Sequence, residues 1–432
     1  MSTRNYKKID VYEASKDRID FVFKNFKRVY VSFSGGKDSG VMLNLVLDYM
    51  RKNDIKEKIG LMILDNEANY TLSLEFMHRM VDANLDLLDI YWCCLPITLP
   101  CTVSSYMTEW HCWGVNDKEK WIRPMPKQDY IVNIDNHKFD FFKENMGYNE
   151  FWDEFGNWYS QGQETACLIG IRTEESLNRW RAIMNSNKKT KKGKMWTKKN
   201  TDTVYNVYPI YDWKTDDVWT ANARFEWDYN KLYDVFWKAG LSIYQMRVAS
   251  PFMSESKSSL NLYRVIDPNV WQRLCARVAG ANFIATYGKQ LNYHSFKLPE
   301  GHTWKSFVKF LIDTLPKVSS ENFKQRFIQS IKYWWRVGRG LDDSLIDDLR
   351  KNNIPFKLGE KTRHGNQDKY CVRMLPQDHL DMLKRHPSEV TSWKRFAITI
   401  LKNDHTCKYL GLAPTKEQAQ RQKQIQKKYS KL

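Results

Sequence analysis

The sequence predicts a doubly wound α/β domain on a parallel sheet, followed by an α-helical C-terminal domain. Three observations lead there. Short β-branched and aromatic runs alternate with amphipathic helices through the N-terminal quarter. A six-residue Ser/Gly string stands between the first such run and its helix. Beyond about residue 256, helical spacing continues with no strand alternation. A β-α-β-α-β order favours parallel strands joined by right-handed crossovers.

In chain order, Asp10 suits an N-cap, with Glu13 three residues on as in a capping box. Val11, Ala14, Ile19, Val22 and Phe26 then recur at near-helical spacing. Arg28 to Phe33 (RVYVSF) reads as a buried strand. Val41, Met42, Leu45, Val46 and Tyr49 mark one face of the next helix. Ile59 to Leu64 (IGLMIL) is a second strand, ending at Asp65; a helix follows from about Thr71 to Asn84, and Leu88 to Trp92 is a third strand. Residues 93–164, rich in Trp, Tyr, Pro and Asp, read as an irregular insertion with short helices. Order resumes with a strand at Ala166–Ile171, a helix at Glu174–Ala182, Val204–Tyr208, and a helix from near Thr215 with Asp216 and Asp217 at its positive end. Within a basic loop at 186–201, residues 188–199 carry seven lysines and no acid, the pattern of a mobile, solvated segment. Helices are expected at Val265–Val278, Trp304–Leu315, Phe323–Val337, Leu341–Lys351 and Ser388–Lys402, then a charged, Gln-rich tail from Thr415. The expected domains are 1–250 and 251–432.

Composition narrows the function classes. At roughly 150 residues per domain, 432 residues make two or three domains. With 42% hydrophobic residues a packed core is expected, not a disordered chain. No apolar run approaches the roughly 20 residues of a membrane span, and no signal peptide is evident, so a soluble cytoplasmic protein is expected. Eight cysteines without a C-x-x-C pair argue against a disulfide framework or a zinc ribbon. A net charge of +18 favours polyanionic partners: nucleotide, RNA or DNA.

The chemistry concentrates in Ser34-Gly35-Gly36-Lys37-Asp38-Ser39. Two glycines let the backbone turn tightly and approach a ligand. The following helix aims its free N–H groups and positive end at the same point. Two serine hydroxyls and a lysine complete an anion nest suited to pyrophosphate. It is neither a Walker A loop, since Asp38 stands where Ser/Thr is required, nor a G-x-G-x-x-G turn.

The string resembles the PP-loop of N-type ATP pyrophosphatases. Gly170-Ile171-Arg172-x-x-Glu175-Ser176-x-x-Arg179, and Tyr208-Pro209-Ile210-Tyr211-Asp212-Trp213 with Asp217-Val218-Trp219, resemble the phosphoadenosine phosphosulfate (PAPS) reductase branch. The helical half, with Gly280–Phe283, Leu298–Trp304 and Leu401–Asp404, is similar to a subgroup (DUF3440) described as phage and virulence-gene co-activators. The resemblance implies a HUP-like sheet binding ATP, or a PAPS- or APS-like adenine nucleotide, with Mg²⁺. It places Ser32, Ser34, Gly35, Gly36, Lys37, Asp38 and Ser39 around the phosphates. It puts Asp38 on the metal, Asp65 near the nucleoside, and Gly170, Arg172 and Glu175 in the nucleotide site. Lys37, Asp38, Arg172 and Arg179 become the catalytic candidates. Arginine forks suit phosphate, although Glu175 and Arg179 also fit an i,i+4 surface ion pair.

A reductase of this branch needs a cysteine in a C-terminal E-C-G-[IL]-H segment, and that string is absent. The intact phosphate loop therefore favours ATP α–β cleavage and adenylation of a second substrate. Two rival readings are a nucleotide-responsive nucleic-acid-binding regulator and a true PAPS reductase. The resemblance further implies tRNA or DNA and a ParB-like protein as partners; a homodimer and no membrane association are also expected. Cys93, Cys94, Cys101, His111 and Cys112 form a candidate zinc or iron–sulfur ligand set of no standard spacing, with core packing as the alternative. Cys407, among basic neighbours, is a candidate reactive thiol.

Overall fold

The computed structural model describes residues 8–185, 188–257, 259–287, 296–364, 367–383 and 389–412. The chain divides into two compact units: Met1–Leu99 with Trp110–Arg277, and Pro100–Glu109 with Val278–Leu432.

In the first unit, α1 (Val11–Asn25) begins at Asp10, whose carboxylate accepts the Glu13 N–H at 2.9 Å. Glu13 does not close a reciprocal box; it pairs with Lys16 at 2.8 Å. Then come β1 (Arg28–Ser32), α2 (Lys37–Lys52), β2 (Ile59–Leu64), α3 (Thr71–Asp82) and β3 (Leu88–Cys93), as the alternating pattern predicts. The insertion contributes β4 (Ile97–Pro100), β5 (Glu109–Cys112), β6 (Ile131–Val132), β7 (Met146–Gly147) and α4 (Tyr148–Ser160). After it come β8 (Thr165–Ile169), α5 (Leu177–Met184), β9 (Thr197–Lys199), β10 (Val204–Val207), α6 (Thr215–Arg224), α7 (Leu232–Lys238), α8 (Tyr263–Ile266) and α9 (Pro268–Arg277).

Seven strands form one sheet in the order β6-β3-β2-β1-β8-β10-β9. Every pairing is parallel except β10 with β9. Val29, Tyr30, Val31, Leu61, Met62 and Ile63 are buried, as expected of central strands covered on both faces.

Three expectations change here. The lysine-rich stretch is not free in solvent. Trp196 is buried with its ring edge on Phe21 at 5.3 Å, Lys191 pairs with Glu164, and the stretch ends as β9. Its long aliphatic stems cover apolar surface while the ammonium groups meet carbonyls and a carboxylate. The helix expected from Glu174 starts later, at Leu177, because the Ser176 hydroxyl caps it by accepting the Arg179 N–H at 3.2 Å. The expected Val265–Val278 helix is broken in two at Asp267-Pro268.

The second unit holds α10 (Ala281–Tyr287), α11 (Trp304–Thr314), α12 (Lys317–Arg336), β11 (Arg339–Leu341), α13 (Asp343–Lys351), β12 (Lys357–His364), β13 (Gln367–Arg373) and α14 (Trp393–Leu401). It is mainly helical, with an antiparallel sheet in the order β11-β13-β12 that helical spacing did not reveal. One apolar cluster joins Trp334, Leu345, Leu349 and Val372; another joins Phe307, Phe323, Phe327 and Phe396. The tail expected from Thr415 lies outside the described residues. No helix among the described residues is long and apolar enough to cross a membrane.

Candidate functional site

The strand order reverses at β1: the chain runs outward through β2 and β3 on one side, then returns to β8 on the other. In open parallel sheets such a switch point leaves a crevice at the carboxyl ends of the strands, where ligands bind. The Ser34–Ser39 turn leaves β1 at that crevice, and Gly170–Glu175 leaves β8 beside it.

Sterics shape the turn. Gly35 has φ +69°, and a Cβ there would stand 2.8 Å from Met77 Cγ, so only glycine fits. Gly36 caps α2 in extended conformation. Asn230, fully buried, donates from Nδ2 to the Gly35 carbonyl and to Ser73 Oγ, both at 2.9 Å. Ser39 Oγ accepts the Ser34 N–H at 3.3 Å and lies 3.1 Å from Ser34 Oγ, so the two hydroxyls brace the turn. The Tyr233 hydroxyl accepts the Lys37 N–H at 3.0 Å. Among the described residues, the N–H groups of Gly35, Gly36, Asp38 and Ser39 meet no protein acceptor. Four amide donors thus gather at the positive end of a 16-residue helix, an arrangement whose chemistry suits an anion. Ser32, last in β1, is half-buried below it, paired with Met62 and Ile169.

The charged candidates take other roles. Arg172, 1% exposed, donates from Nε to Asp38 Oδ1 at 2.6 Å. Its other nitrogens reach the Trp213 carbonyl and Glu174 at 3.4 Å and Thr215 Oγ1 at 3.3 Å. Arg172 therefore ties the β8 exit and the start of α6 to the turn and does not face a phosphate. Asp38 Oδ2 lies 3.2 Å from Lys37 Nζ. With both carboxylate oxygens held by cations, Asp38 does not fit the Mg²⁺ role that the resemblance implied. Lys37 is 6% exposed, with Nζ 3.5 Å from the Met246 carbonyl and 5.7 Å from the Tyr233 ring centre. Burial lowers its pKa, opposed by Asp38 and reinforced by Arg172 and Arg247. Gly170 packs so closely on the turn that a Cβ would come within 2.8 Å of the Asp38 carbonyl; its role is close approach of backbones. Glu175 and Arg179 form the i,i+4 ion pair, with Arg179 43% exposed.

Asp65 also changes role. It is 1% exposed, and its carboxylate accepts Arg123 at 2.5 Å, Trp92 Nε1 at 2.8 Å and the Glu67 N–H at 2.9 Å. Its carbonyl takes Trp113 Nε1 at 2.7 Å. Glu67, fully buried with φ +68°, accepts the N–H groups of Trp113 at 2.6 Å and Ile122 at 2.7 Å. Burial raises the Glu67 pKa against those two bonds and the positive charge of Arg277 and Arg123. The two acids fasten the 113–123 strap over the end of β2, leaving Asp65 no free oxygen for a nucleoside.

The sequence reading missed Asn230, Tyr233 and Arg247. Arg247 is exposed, donates to the Glu175 carbonyl at 2.9 Å, and is close enough for its charge to act on Lys37. No local pattern marks it.

The cysteine set forms no ligand shell. Cys93, Cys94, Cys101 and Cys112 are buried, Cys112 Sγ donates to the Ile97 carbonyl at 3.3 Å, and His111 Nδ1 faces Thr98 Oγ1 at 2.9 Å. Among the described residues no group of three or more His, Cys, Asp or Glu is arranged to hold a metal. Burial raises the Cys93 and Cys94 thiols well above the ordinary range. Cys407 is fully buried and its thiol is pushed up to about 12, chiefly by burial, which removes the reactive role its basic neighbours had suggested.

Fold and turn together define an α/β protein with a glycine-containing turn of open amides at its switch point. Residues 28–239 match the phosphoadenosine phosphosulfate reductase domain, and residues 240–421 match a domain of unknown function, DUF3440. An uncharacterized protein of Escherichia coli (strain K12), YbdN, is 30% identical over 415 residues, covering 94% of this chain and 92% of that protein. The chain belongs to the phosphoadenosine phosphosulfate reductase domain family and carries the DUF3440 domain in its C-terminal part. Weak likenesses to solved structures include a Candida auris phosphoadenylyl-sulfate reductase (11% identity, 54% of this chain and 95% of that one, TM-score 0.26). An NH3-dependent NAD synthetase from Campylobacter jejuni is another (15% identity, 68% and 99%, TM-score 0.26).

Proposed function

We propose that Ser34–Ser39 binds the phosphate chain of ATP and that the protein adenylates a second substrate. The observation that carries this is the set of four uncommitted amides, from Gly35, Gly36, Asp38 and Ser39, at the point where the strand order reverses. In the adenylation step an oxygen nucleophile forms a bond to the α-phosphorus, and the bond from that phosphorus to the bridging oxygen breaks, releasing pyrophosphate. The amides and the α2 dipole stabilise the charge gathering on the leaving group. The Asp38–Arg172 pair holds the cradle in shape before the nucleotide arrives, so little reorganisation is required. Arg247 supplies an exposed cation at the rim.

Reduction of a sulfonucleotide is the less supported chemistry. The cysteine segment is missing, and six of the eight thiols are buried. The test is calorimetric titration of the whole protein with α,β-methylene-ATP, followed by pyrophosphate release assays with ATP and candidate acceptors. Binding that prefers adenine to uracil triphosphates, and pyrophosphate release that depends on an acceptor, are expected. Folded protein that takes up no nucleotide would overturn the reading.

A further inference from the structure

We infer that the C-terminal end of α12 and the adjoining β12 strand form a contact surface for unpaired nucleic acid. Within 322–341 the chain carries no acid, and it reads Lys332-Tyr333-Trp334-Trp335-Arg336-Val337-Gly338-Arg339 where helix passes into strand. The two adjacent tryptophans part company. Trp334 is 3% exposed in the apolar cluster with Leu345 and Val372, whereas Trp335 is 48% exposed. Gly338 makes the turn between them and β11; its φ is +80°, and a Cβ would stand 2.6 Å from the Val372 carbonyl. This turn carries the chain from the end of α12 directly into the sheet.

The exposed face has a regular order. Lys324, Ile328, Lys332 and Trp335 follow at intervals of four, four and three, so they lie on one helical stripe. Arg336 adjoins it, and Lys357 of β12 places Nζ 5.4 Å from the Trp335 ring centre. Among the described residues, Lys324, Lys332 and Arg336 form no ion pair, so their charge is available to a partner.

Charge and aromaticity choose the partner. Cations interleaved with an exposed indole suit a strand whose phosphates meet the ammonium groups while a base stacks on the ring. A membrane-surface helix instead separates an apolar face from a cationic one, and here lysine and apolar residue alternate along the same stripe. The lysine-rich 188–199 stretch makes an instructive contrast. It has more lysines, but Lys188 bonds to the Ile183 and Met195 carbonyls, Lys191 to Glu164, and Lys194 lies 5.5 Å from the Phe21 ring. Lys188 and Lys191 are thus held by carbonyls and a carboxylate, whereas Lys324, Lys332 and Arg336 form no ion pair among the described residues.

This inference is independent of the ATP reading. It is tested with the full chain and a fluorescein-labelled oligo-dT, with a duplex of equal length beside it, by anisotropy across a salt series. The parent is expected to bind oligo-dT with affinity falling steeply as salt rises. A Lys332→Ala/Arg336→Ala variant should flatten the log–log salt slope by about 0.7 per lost cation. Trp335→Ala should weaken binding about tenfold with the slope unchanged, and Trp335→Phe should restore most of it. All three positions are exposed, and an unchanged urea midpoint establishes that the variants fold. Oligo-dT binding that the variants share with the parent overturns the inference. So does a parent that binds no oligonucleotide, or one that binds phosphatidylserine vesicles in its place.

Discussion

The loops leaving β1 and β2 emerge from the same edge of one sheet, from neighbouring strands, yet treat their polar groups in opposite ways. After β1, two glycines shape a turn whose amides at Gly35, Gly36, Asp38 and Ser39 stay open. After β2, Asp65 and Glu67 are closed in by Arg123, Trp92, Trp113 and Ile122, with every carboxylate oxygen engaged. Buried polar groups must find partners, and the protein supplies them on one side only. The open side is where a ligand's oxygens can substitute for protein acceptors. An acid at the carboxyl end of a strand, which on sequence looks like a nucleoside ligand, can therefore be a fastening for the chain instead.

The contrast breaks most visibly at Asp65. Asp65→Ala strands Arg123, whose side chain is 9% exposed, without its counter-charge. A loss of about 3–5 kcal/mol is expected in urea unfolding. A loss under 1 kcal/mol would mean that the strap is not fastened there. The next effect separates a glycine packed against the turn from one within it. Gly170→Ala drives a Cβ into the Asp38 backbone and should cost about 1–3 kcal/mol of stability. Gly36→Ala meets only ordinary contacts, at 3.5 Å from Ser34 Oγ and 3.6 Å from the Tyr233 hydroxyl, in backbone that alanine adopts freely. Its stability should fall by at most about 1 kcal/mol, while affinity for α,β-methylene-ATP drops about tenfold or more. Equal nucleotide affinity in Gly36→Ala and the parent would remove the distinction between open and closed loops.

A smaller effect is a slope with pH. Because burial raises the Glu67 pKa, the folded chain holds a proton there that the unfolded chain has already released. The stability contributed by this group is present below the ordinary Glu pKa and is lost as pH rises through the raised folded value. Urea midpoints of the parent should therefore decline over that interval relative to Glu67→Gln, which has no such proton to lose. Parallel pH profiles would assign Glu67 no shift. The smallest effect belongs to Arg179→Ala, which breaks the partly exposed i,i+4 pair with Glu175. About 0.2–0.5 kcal/mol is expected in stability, with nucleotide affinity unchanged in the calorimeter. A tenfold loss of affinity would return Arg179 to the phosphate site.

Periodicity and local chemistry were enough for most of the α/β unit. Runs such as RVYVSF and IGLMIL suit strands covered on both faces, Asp10 caps the first helix, and Gly35-Gly36 can serve only a tight turn; each of these is a short-range property that a single chain displays. Arg172 looked like a phosphate ligand because an arginine fork suits either a phosphate or a carboxylate, and only the fold brought Asp38 within 2.6 Å of it. Helical spacing hid β11, β12 and β13, since strands rich in charged residues carry little apolar alternation. The lysines of 188–199 read as solvated because their acceptors are carbonyls, a carboxylate and rings that chain folding delivers. By itself the sequence determined where the backbone can turn, which segments must be buried, and that Ser34–Ser39 forms a tight turn between a strand and a helix. Tertiary structure alone decided which charges remain available, because a charge is cancelled by whatever lies within a few ångströms in space, and separation along the chain does not reveal that.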